Sequence, residues 1–113
     1  MSTHVIVSHG SDFFGVDTIP VPHLRELGQY ARRILPADDH PLLTDLLDDA
    51  GQREHTLNAD QAALLALLLR RVAHHRRLKK QIRELAARLG IAAANAATDL
   101  EPWTWTTSTE GTP

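Results

Sequence analysis

The chain contains no cysteine among its 113 residues. That excludes a disulfide scaffold, a cysteine-ligated zinc site and a thiol nucleophile together, and it accords with a reducing interior. Aromatic residues are scarce, at 4%, so the two tryptophans of "PWTW", Trp103 and Trp105, stand out as core material; each buries a large area, and an exposed stacking platform is the weaker reading. The longest uninterrupted apolar run, Ala62 to Leu69, falls far short of the roughly 20 residues a membrane span needs. No basic start leads into an apolar stretch, so no secretion signal is expected. There is no glycine-rich phosphate loop, and no strained serine elbow that would make a Ser-His-Asp arrangement specific. These absences point to a cytoplasmic protein without membrane partners and favour a non-enzyme.

What is present divides by charge. Residues 1–60 carry ten acids against four bases, a balance of −6, and residues 61–113 carry eight bases against four acids, a balance of +4. All eight of those bases lie between Arg70 and Arg88, opposed there only by Glu84. Such a stretch attracts an acidic partner or is satisfied within its own fold.

The N-terminal "HVIVS" is β-branched and apolar and ends at Gly10, which predicts a strand over His4–Ser8. "DFFG" follows as a turn. "IPVPH" is expected to be extended, because each proline disfavours helix at the residue before it. From Pro22, Leu24, Leu27, Ala31, Ile34 and Leu35 repeat at helical spacing until Pro36. A second, short helix is expected within "DDHPLLTDLLDDAG", with Asp39 as cap, Pro41 in the first turn and Gly51 as stop. "QREHTLN" reads as a short strand, and Asn58 with Gln61 resembles a capping box ahead of "QAALLALLLRRVA".

Beyond that cap, Leu65, Leu68, Leu69 and Val72 define one helical face. Continued on the same helix, Leu78, Ile82, Leu85 and Leu89 would fall roughly 120° away. One straight helix cannot point both sets at one core, so a break near His74–Arg77 and two helices are predicted; a continuous helix touching two surfaces is the alternative. Gly90 either caps part of the second helix or permits close packing inside it. Pro102 ends the helix, "WTWTT" reads as a strand, and residues 108–113 as a solvated tail beyond a single domain over 1–107. The expected fold is α+β, with about four helices and two or three short strands; a helical bundle carrying one hairpin is the alternative.

Three sites follow. The basic residues Arg70, Arg71, Arg76, Arg77, Lys79, Lys80 and Arg83 surround the predicted helix junction and are the candidates for binding a nucleic acid or an acidic protein. A sequence pI near 6.4 weighs against nucleic acid and for internal pairing. The run "LLALLLRR" is wider than one stripe, so Leu64, Leu65 and Leu68 are candidates for a seam between copies. The third site is His9. The turn "SHGS" is similar to the strand-end Gly-His-Gly-Ser of small sirohydrochlorin chelatases, in which the histidine helps bind metal, and to the Arg-His-Gly of histidine phosphatases, although Ser8 replaces that arginine. The chelatases alternate strands and helices throughout, which this chain does not. The other histidines, His4, His23, His40, His55, His74 and His75, show no metal-ligand spacing.

Taken together, "SHGSDFFG", "LP…HPLL", "TLNADQAALLALLLRR" and "PWTW" resemble a group of small proteins of GC-rich actinobacteria and their mobile elements, a domain without an assigned function. The resemblance implies an accessory protein of bacteria or phages and carries no catalytic residue across. The favoured reading is therefore a non-enzymatic interaction or regulatory protein, oligomeric through its Leu-rich helix and free of cofactors. A nucleic-acid-binding module built on residues 70–83 comes second. A metal-dependent enzyme or tetrapyrrole binder around His9 comes third.

Overall fold

In a computed structural model, the structure describes residues 3–9, 17–35, 41–50 and 52–109. Among these residues the chain runs β1 (Thr3–His9), β2 (Asp17–Pro20), α1 (Val21–Ile34), α2 (Pro41–Asp48), β3 (His55–Leu57), α3 (Ala59–Ala73), α4 (Lys80–Thr98) and β4 (Trp103–Thr109). The architecture is α+β. Its strands form one antiparallel sheet in the order β2-β1-β4-β3, which places the first and last strands at the centre.

Alternation along the strands sorts the two faces of the sheet. Val5, Val7, Ile19, Leu57, Trp103 and Trp105 are buried on one side, where Val7 stands opposite Trp105 and Leu57 opposite Trp103. The opposite side carries Ile6, Thr18, Thr56, Thr104 and Thr106, none of them buried. The tryptophan rings meet edge to face, with centroids 5.4 Å apart and planes at 88°, the arrangement that the quadrupoles of two rings favour. Trp103 and Trp105 are therefore core, as their spacing indicates.

Strand content exceeds the expected two or three, and the sheet excludes the simple bundle. Residues Ser108 and Thr109, expected in the tail, are the last two of β4 and pair with His4 and Thr3; the length of β1 gives their backbone groups partners. "IPVPH" is extended only through Pro20. Val21 already opens α1, flanked by Pro20 and Pro22. First-turn N–H groups have no acceptor within a helix, so proline there forfeits no hydrogen bond. The "DFFG" turn, Pro36, Asp39 and Gly51 lie outside the described residues.

The predicted division between α3 and α4 is present. The Asn58 side chain accepts from the Gln61 N–H at 2.8 Å and the Gln61 side chain accepts from the Asn58 N–H at 3.0 Å, a complete capping box. The chain leaves α3 through a turn in which the Leu78 N–H donates to the His75 carbonyl. Leu78 is buried and anchors that turn. The helices then lie antiparallel and bring both leucine sets inward. Gly90 sits inside α4 where it nears α3: a Cβ there would lie 3.5 Å from Leu69 Cβ and 3.7 Å from the Ala66 carbonyl oxygen.

Helix α4 ends by a backbone device, ahead of Pro102. The Leu100 N–H donates to the Ala97 carbonyl and the Glu101 N–H to the Ala96 carbonyl, the crossed pair of a Schellman motif. Leu100 adopts φ 56° to make it, a left-handed conformation that glycine enters at least cost.

Candidate interaction surface

The helical hairpin has an outer side, turned away from the sheet. A groove of about 510 Å³ runs between α3 and α4 there, lined by Ala66, Leu67, Arg70 and His74 from α3 and its end and by Gly90 and Ile91 from α4. Small residues make it: Ala63, Ala66, Ala87, Gly90 and Ala94 leave space between the helices that larger side chains would fill. Leu67 is 51% exposed, Ile91 63%, and Leu64, one turn before Leu67, 45%.

Of the leucines expected in a seam, only Leu64 is exposed. Leu65 and Leu68 are buried in the chain's own core, 0% and 2% exposed, and in this fold they are unavailable to a partner. Leu67 and Ile91 take their place. The signal in the sequence was the width of the apolar run, which one stripe could not absorb; Ile91, among alanines, had no comparable signal.

The basic residues have different surroundings. Arg70 borders the apolar groove. Arg71, Arg76 and Arg77 are exposed at the end of α3 and in the turn, and Arg83 is half-buried on α4. Lys80 pairs with Glu84 at 3.9 Å along its own helix. Lys79 turns away to α1, where its ammonium donates to Glu26 at 3.3 Å. That hydrogen bond, then the Glu26 charge, raises the Lys79 pKa above the ordinary lysine value. Around this pair lies a second groove, of about 690 Å³, which Arg25 and Arg33 also line. Neither arginine figured among the sequence candidates, because only tertiary folding brings residues 25, 33 and 79 together.

The side chains of Ser8 and His9, with Gly10 and Ser11, lie outside what the structure describes. Among the described residues no three His, Asp or Glu side chains are grouped to hold a metal ion, and no helix is long and apolar enough to cross a membrane.

No curated protein and no solved structure matches the chain. One family does, over residues 10–106, described as Domain of unknown function (DUF7739). That match spans α1 through α4, both grooves and most of β4, and the chain belongs to this family.

Proposed function

We propose that the chain is a non-enzymatic interaction protein that acts as a homo-oligomer, with the outer side of one α3–α4 hairpin docked on that of a second copy. The observation that carries this reading is the open apolar groove lined by exposed Leu67 and Ile91, with Leu64 exposed on the same helix as Leu67. Apolar side chains contiguous across two helices gain when water leaves them.

The polar residues that flank Leu67 along α3 support a second copy as the occupant. Asp60 and His74 lie seven residues either side of Leu67, two helical turns away and on the same face. Both are exposed. When two α3 helices cross antiparallel about Leu67, one of the arrangements open to an isologous two-fold pair, Asp60 of one copy meets His74 of the other, and the reverse. We further infer an accessory role in the cytoplasm of actinobacteria or their mobile elements; the cysteine-free composition and the sequence resemblance support this.

Light scattering during size-exclusion chromatography tests the docking. The expected result is a dimer that Leu67→Ser with Ile91→Ser converts to monomer without loss of helical signal. His74→Asp alone weakens it, and His74→Asp with Asp60→Arg restores it. A wild-type monomer at high concentration, or a dimer indifferent to Leu67 and Ile91, overturns the proposal.

A further inference from the structure

The groove between α1 and the start of α4 is of a different kind. Arg25 and Arg33 lie on one side of α1 with Gln29 between them, and Lys79 reaches in from the other wall. Eight residues of helix separate the two arginines by roughly 12 Å along the axis and only about 80° around it. Glu26 answers one positive charge through its contact with Lys79. Neither Arg25 nor Arg33 has an ion pair among the described residues, in contrast to Arg32, which is paired with Asp48. The groove thus carries three cations against one acid, and exposed Arg76 and Arg77 precede Lys79 by three and two residues.

We propose that this groove binds the phosphate backbone of nucleic acid without reading its sequence. A guanidinium offers paired N–H donors that match phosphate oxygens. Cations spaced along a groove, on two elements, suit a polymer that repeats its charge every few ångströms. An acidic protein segment would need an apolar anchor to bind well; Pro22 and the half-buried Tyr30 are the groove's least polar surfaces. The site shares no residue with the hairpin's outer groove, so it stands whether or not the chain self-associates.

Fluorescence anisotropy on the full chain, with a labelled mixed-sequence DNA duplex and poly-glutamate as competitor, decides it. Binding is expected at low salt and should weaken linearly in log–log form as salt rises. Changing both Arg25 and Arg33 to Ala should cut affinity about tenfold or more and lower the salt slope by about two. Arg33→Glu alone should act in the same direction, and Arg53→Ala, an exposed change elsewhere, should leave binding unaltered. Circular dichroism establishes that each variant is folded. Absence of binding at low salt, indifference to the Arg25 and Arg33 changes, or poly-glutamate binding as tight as the duplex overturns the proposal.

Discussion

The two sides of the α3–α4 hairpin are built from the same residues to opposite ends. On the inner side Leu65, Leu68, Leu69, Val72, Ile82, Leu85 and Leu89 are sealed against the sheet and one another. On the outer side Leu64, Leu67 and Ile91 stand about half in water or more, separated by alanines and Gly90. Leucine therefore marks both sides, and side-chain size separates them. Branched residues facing one another fill the interior, while alanine opposite alanine leaves a channel. The lesson is that an apolar helix shows its core side by what opposes it across the packing, which its own sequence does not contain.

Leu69→Ala sharpens this comparison with the largest effect. It should lower the unfolding free energy by about 2–5 kcal/mol, read from chemical denaturation, because a sealed cavity replaces packed methyl groups. A loss no larger than that at an exposed leucine would break the comparison.

The hairpin's two ends come next. Asn58→Ala removes a cap whose two hydrogen bonds are both formed, and should cost about 1 kcal/mol. Leu100→Gly should move stability the other way by about 1 kcal/mol, since glycine takes up a left-handed conformation without a clash; its greater freedom in the unfolded chain offsets part of the gain. Thermal melts of the two variants side by side give opposite signs if side chains hold one end and backbone the other.

The smallest effect is the most discriminating. Leu67→Ala should change the stability of the monomer by less than about 0.5 kcal/mol, yet it should reduce self-association measurably in analytical ultracentrifugation. A destabilisation comparable to Leu69→Ala would mean that the outer side belongs to the core after all.

Several elements were legible in advance because their causes are local. The strand at "HVIVS" follows from β-branched side chains, the start of α3 from a cap three residues before its partner, and the division near His74–Arg77 from two leucine sets that cannot share a straight helix. The tryptophan pair at i and i+2 likewise announced a buried strand face. Other features have distant causes. Ser108 and Thr109 are ordered into β4 by pairing with His4 and Thr3, more than a hundred positions away. Leu100 closes α4 with a conformation that a leucine does not advertise.

The candidate sites show the same division. A basic stretch could be read directly, but its separation into Arg70 beside an apolar groove, Lys80 on Glu84 and Lys79 across to α1 could not. By itself, the sequence determined the start of α3, the helix break, the N-terminal and C-terminal strands and the absence of thiol chemistry, because propensity, capping and periodicity act over a few residues. Tertiary structure alone decided which leucines face water and which arginines share a groove, because both depend on the volume and charge of residues that only packing brings opposite.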